Sequence, residues 1–94
     1  MADVFYTDIE FSDHAWSRIS ARRIRKDAIV AAMSYGRRYW NEGRIVYRLD
    51  RRSVKNAAKM GLKLQRYEGI HVVLGDDGRV VTAYRNRNGK RVPR

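Results

Sequence analysis

The sequence predicts an α+β fold: two N-terminal helices packed on a mostly antiparallel four-stranded sheet, with an extra short helix at 53–60. Three observations predict it. Apolar residues recur at helical spacing between residues 13 and 35, apolar and β-branched runs dominate 38–49 and 70–85, and glycine-bearing turns interrupt both of the latter stretches. Helices before such a sheet bury their apolar stripes against one of its faces. A chain of 94 residues supplies one core, so residues 1–94 are read as a single domain.

Phe5 to Phe11 reads as a short extended lead-in. Ser12 is a favourable N-cap residue, which starts the first helix at Asp13. Ala15, Trp16 and Ile19 fall on one stripe of that helix and should face the core; His14, Arg18 and Arg22 follow one another at i, i+4 and i+8 on a neighbouring face. The chain turns near Arg22–Ile24. A second helix is expected from about Lys26 to Tyr35, with Ala28, Ile29, Ala32 and Met33 as its apolar stripe and Gly36 as its C′ residue.

Strands come next. Arg38-Tyr39-Trp40 and Arg44 to Leu49 flank Asn41-Glu42-Gly43, a three-residue hairpin loop. Ser53 is expected to cap the short helix, which Gly61 ends. Leu62 to Tyr67 alternates apolar and polar residues, as a half-buried strand does. Ile70 to Leu74 and Arg79 to Arg85 are the strongest strand signals, joined by the turn Gly75-Asp76-Asp77-Gly78. Residues 86–94 read as a mobile basic tail.

The charge is large and uneven. Lys and Arg total 21 against 10 Asp and Glu, a formal net charge of +11. Residues 1–13 hold four acids and no base, whereas residues 14–66 hold fifteen bases and three acids. Sixteen of the bases are arginine, whose planar fork of donors matches phosphate groups and stacks on bases. Such a balance points to nucleic acid, with an anionic membrane surface or an acidic protein as the other polyanions it would suit. No apolar run is long enough for a membrane span and the first residues show no signal-peptide core, so the expectation is a cytoplasmic protein with no membrane partner.

Several chemistries are excluded. With no cysteine and two histidines there is no thiol catalysis, disulfide or structural zinc site. The scattered carboxylates form no metal-ligating cluster and no phosphate-binding glycine loop is present, so no metal and no cofactor are expected. Metal-independent RNA cleavage remains open. It needs groups to move a proton off the 2′-hydroxyl and onto the leaving oxygen, and fixed positive charge for the phosphoryl transition state. His14, with Arg18 one turn on, suits those roles; a surface histidine bonded to a neighbouring strand is the plainer reading. Thr82 and Tyr84 share a strand face and Arg85 points to the other. His71, inside an apolar strand, reads as a sheet-face residue. Trp16 is expected in the core, and Trp40, between Arg38 and Arg44, as an exposed stacking platform.

The run His14-Ala15-x-x-Arg18-Ile19-x-x-Arg22-x-Ile24, followed by Asp27-Ala28-Ile29 and Ala32-Met33, resembles the start of the small bacterial family labelled "domain of unknown function 4258". Ile70-His71-Val72-Val73-Leu74 and Val80-Val81-Thr82-Ala83-Tyr84-Arg85 resemble its ending. The likeness covers residues 9–50 and 69–85. Arg23 departs from it by occupying the family's usual glycine position, and residues 51–67 do not align. That family is similar to the superfamily grouping barnase, EndoU, the colicin E-type ribonucleases and the RelE toxins. The resemblance implies a metal-independent endoribonuclease, with His14, Arg18, Tyr84 and Arg85 in catalysis. Arg22, Trp40, Arg44, Arg48 and Thr82 are the residues expected to bind RNA. The partners expected are RNA, free or ribosome-bound, and an acidic antitoxin or inhibitor. A catalytically silent nucleic-acid- or ribosome-binding module and a structural interaction protein are the alternative functions.

Overall fold

The computed structural model describes residues 9–86. Residues 5–8 of the expected lead-in and 87–94 of the expected tail lie outside the described residues. The element order is α1 (Ala15–Ala21), α2 (Lys26–Tyr35), β1 (Arg37–Asn41), β2 (Arg44–Arg48), α3 (Arg51–Lys59), a single 3-10 turn (Gln65–Tyr67), β3 (Ile70–Leu74) and β4 (Val80–Arg85). The fold is α+β, with its helices packed on a sheet of four antiparallel strands in the order β1-β2-β3-β4. No helix among the described residues is long and apolar enough to cross a membrane.

Each helix end has a local cause. α1 begins at Ala15, two residues later than Ser12 suggested. His14 takes the N-cap position with φ 66°, and Ser12 contributes its backbone carbonyl to Ala15 N–H at 3.0 Å in place of a side-chain cap. α1 ends in a Schellman motif: Ile24 N–H donates to Ile19 O at 3.2 Å, and Arg23 N–H to Ser20 O at 2.9 Å. Arg23 is left-handed, φ 61°, and Ile19 and Ile24 are both buried beneath the turn. The short helix α3 is capped by Asp50, whose carboxylate accepts from Ser53 N–H at 2.8 Å. Ser53 is therefore the third helical residue and not the cap.

Two further expectations change. The first hairpin has a two-residue loop, Glu42 and Gly43, both at positive φ, as a type I′ turn requires. Leu62 to Tyr67 is no strand. β2 pairs directly with β3, so the segment between them is not inserted in the sheet, and it ends in the 3-10 turn. Gly36 follows α2 with φ −77°, so it supplies no left-handed cap. Its lack of a Cβ allows a close approach instead: a Cβ there would collide with Ala32 O and lie 2.8 Å from Arg48 O.

One face of the sheet packs under the helices. Ile70, Val72, Leu74, Val80 and Ala83 join Ile19, Ile29 and Leu49 in one hydrophobic cluster, with Ile45 and Tyr47 at its margin. Strand alternation turns Arg44, Val46, Arg48, His71, Val73, Thr82 and Tyr84 to the opposite face. A β-bulge between Leu74 and Val73 inserts Val81 into β4; Val80 thereby stays in the core while Val81 and Thr82 both border the other face.

Candidate nucleic-acid interface

The sheet face turned away from the helices, bare in that no helix of the described residues packs on it, carries a depression. A cavity of about 360 Å³ is lined by Arg22, Asn41, Glu42, Arg44, Val46, Val73, Val81, Thr82 and Tyr84. Its floor is valine from three strands, and its rim is polar. The β1–β2 turn delivers Asn41, Glu42 and Arg44 to one side. Arg22 arrives from the other: the end of α1 carries it past the edge of β4, where Nη1 donates to Thr82 Oγ1 at 3.1 Å and to Ala83 O at 2.9 Å. These bonds fix one guanidinium nitrogen and leave the planar fork at the cavity margin.

Beyond the cavity, towards α3, a polar cluster lies on the same face. Arg37, Arg48, His71 and Tyr84 occupy one row across the four strands, and Tyr39 is diagonal to Arg48. The His71 ring is fully buried and stacks on Tyr84, with centroids 4.8 Å apart and planes at 13°. Its Nδ1–H donates to Gly69 O at 2.8 Å, so Nε2 carries the lone pair. His71 Nε2, Arg48 Nε and the Tyr39 hydroxyl are shielded from solvent and have no hydrogen-bond partner among the described residues.

The electrostatics follow from that burial. Desolvation holds the His71 pKa below the ordinary histidine value, and Arg48 pushes the same way; the Gly69 bond and Asp50 oppose them. Burial raises the Tyr84 phenol, with Tyr39 beside it adding to the rise and Arg48 opposing it. Tyr39 is likewise raised by burial, against Arg48 and Arg37. For Asp50 burial is the largest influence and acts upward, but the Ser53 hydrogen bonds with Arg48 and Arg37 together bring the carboxyl below its usual value. Neutral tyrosines and a neutral imidazole therefore share the face with the Arg37 and Arg48 guanidiniums at neutral pH.

The remaining sequence-derived residues are dispersed. His14 and Arg18 are exposed on α1, which packs against β4 from the helix-covered side; neither lines the cavity. Arg85 points away from Tyr84 and donates to Arg66 O at 3.3 Å, tying the 3-10 turn to β4. Trp40 is 69% exposed, but its Cα partner is Ile45, so it belongs to the helix-side face of the edge strand β1. Arg22, Arg44, Thr82 and Tyr84 meet at the cavity, with Arg48 beside it in the next row. Asn41 and Glu42 were hidden in a turn signal. Their cue is parity: counting back from Val46 across the hairpin puts Asn41 and Arg44 opposite one another on the cavity face.

No family model, no curated protein and no solved structure matches this chain.

Two other features are weaker candidates. A shallower depression of about 410 Å³ over the α1–α2 turn is lined by Trp16, Ser20, Arg23, Ile24, Arg25 and Lys26. Its aromatic surface is already covered, with Lys26 Nζ 5.1 Å from the Trp16 ring centroid. Asp76 and Asp77 belong to a turn in which Asp77 Oδ1 accepts from Arg79 N–H at 3.0 Å, and no group of three metal-ligating side chains occurs among the described residues.

Proposed function

We propose that the chain binds single-stranded RNA on the bare sheet face, with a backbone phosphate between Arg22 and Arg44 and a base against Tyr84. The observation that carries this reading is the cavity where two guanidiniums, Asn41, Thr82 and a half-buried tyrosine surround an apolar floor. Guanidiniums take phosphate, and an aromatic ring takes a base face of any sequence, as general single-strand binders do. A duplex keeps its base faces stacked inside and would leave Tyr84 unused. The net charge of +11 strengthens the encounter with any polyanion. An RNA ligand also suits action in the cytoplasm.

The test is fluorescence anisotropy of a labelled oligouridylate over a range of salt. Binding should weaken steeply with salt, and Arg22→Gln and Arg44→Gln should each lower the slope by about one. No binding at low salt, or binding indifferent to both substitutions, would overturn the proposal.

A second reading adds cleavage at the same cavity. It is favoured by the Glu42 carboxylate and the Tyr84 hydroxyl, which line the cavity with both guanidiniums and suit proton transfer beside fixed positive charge. It is also what the resemblance to ribonucleases and toxins implies, and an acidic antitoxin would suit the same basic face. RNA incubated in EDTA should then give 2′,3′-cyclic phosphate ends, lost in Tyr84→Phe while binding persists. RNA that is bound and left intact removes this reading and keeps the first.

A further inference from the structure

We infer that the RNA site extends from the cavity across the bare face to a second anionic subsite at Arg37, Arg48 and Arg52, so that the ligand is an extended polynucleotide lying along β2. The inference rests on the RNA reading above and adds its length and direction.

Arg44 and Arg48 are four residues apart on one face of β2, about 13 Å at strand rise. Arg37 is the Cα partner of Arg48, at the same end of the sheet. Past it, a separate cavity of about 310 Å³ is lined by Arg37, Asp50, Arg52, Ser53 and Asn56. The one carboxylate there, Asp50, is already engaged with Ser53 N–H. Among the described residues the salt bridges involve Arg79 alone of the arginines; Arg37 and Arg48 act on Asp50 from beyond salt-bridge distance, so three guanidiniums face one carboxylate here.

Between the two cavities lie polar groups with no hydrogen-bond partner among the described residues: two donors, the Arg48 Nε–H and the Tyr39 hydroxyl, and one acceptor, Nε2 of the fully buried His71 in the same row. Unpaired polar atoms shielded from water are costly, and three in one patch call for a ligand or ordered water to complete them. A phosphate reached by a small swing of Arg48 and Tyr39 supplies acceptors for both donors. The excess of guanidinium over carboxylate favours an anion over water alone. The guanidiniums thus run from Arg22 and Arg44 at the cavity to Arg48 and its cross-strand partner Arg37 at the other end of the strands, with Arg52 lining the cavity beyond them. A dinucleotide occupies one end of this run, and a longer strand touches both.

The test compares the full chain's affinity for the dinucleotide UpU with that for an oligouridylate of about eight nucleotides, within the usual range of single-strand site sizes. Arg37→Gln and Arg52→Gln are the variants, and circular dichroism checks their folding. The longer strand should bind at least tenfold more tightly, and each variant should cost it about fivefold while changing UpU affinity less than twofold. Arg37→Lys should retain most of the affinity. Two variants keep the test open if one fails to fold. Equal affinity for both lengths, or variants that weaken both alike, overturns the extended site and leaves the cavity reading standing. Failure to bind either length overturns the RNA reading itself.

Discussion

The two faces of the sheet use the same strands for opposite ends. On the helix-covered face Ile70, Val72 and Leu74 of β3 meet Ile19 and Ile29 in a closed apolar layer. On the bare face the intervening residues, His71 and Val73, stand beside Arg44, Arg48, Thr82 and Tyr84. The first face holds the fold together by burial, and the second spends part of that stability on unpaired polar atoms. A slip of one residue in β2 would drive Arg44 and Arg48 into the helices, so the core fixes the register that assembles the site. The site's geometry is therefore inherited from packing on the other side of the same backbone.

Substitutions on the two faces should separate stability from affinity. Ile29→Ala should cost about 2–5 kcal/mol, read as a lower midpoint of denaturant unfolding, while the folded fraction binds RNA as before. Arg44→Gln should do the reverse, shifting stability by no more than about 0.5 kcal/mol while weakening RNA binding.

His71 sharpens the boundary between the faces. Its pKa is held below the unfolded value, so the unfolded chain binds the additional proton first. The associated stability is present above about pH 6.5 and is lost as pH falls towards the folded pKa. His71→Phe keeps a ring against Tyr84 and removes the unpaired Nε2, while Gly69 O retains the Asn86 N–H bond at 2.8 Å. Urea unfolding of this variant should show stability equal to or above that of the parent, with the acid-side loss reduced. An unchanged pH profile would assign that loss to other groups. His71→Ala, which opens a hole behind Tyr84, should be the less stable of the two.

Smaller effects belong to the helix ends. Asp50→Ala removes the α3 cap and should cost about 1 kcal/mol by denaturant unfolding. Arg23→Gly relieves a left-handed arginine and should raise stability by up to about 1 kcal/mol, visible as a higher thermal midpoint.

Both helices before the sheet, and the β3–β4 hairpin, were legible because their periodicity and their packing agree. Ile70, Val72 and Leu74 reach the core as their alternation says, and Ala28, Ile29 and Ala32 do so at helical spacing. Leu62 and Leu64 imitate the same alternation, but a strand also needs a neighbour, and this segment pairs with none of the four strands and ends in a 3-10 turn instead. Ser53 imitated a cap because the preference for serine there is shared by Asp50, three residues earlier, which won with a charged acceptor. In the site, Thr82 and Tyr84 were legible from strand parity. Arg22 was singled out for its spacing from His14, yet it reaches the cavity because the helix ends before it. That termination depends on a left-handed Arg23, a conformation that an arginine does not advertise in sequence.

The claim that the bare face is the ligand surface is tested most directly by mapping backbone amide shifts in a nitrogen-15 NMR titration with oligouridylate. The shifted amides should gather at Asn41, Arg44, Val46, Val73, Thr82 and Tyr84, with those around His14 and Arg18 unmoved. Shifts confined to the His14–Arg18 side of α1, with the sheet face silent, would contradict it.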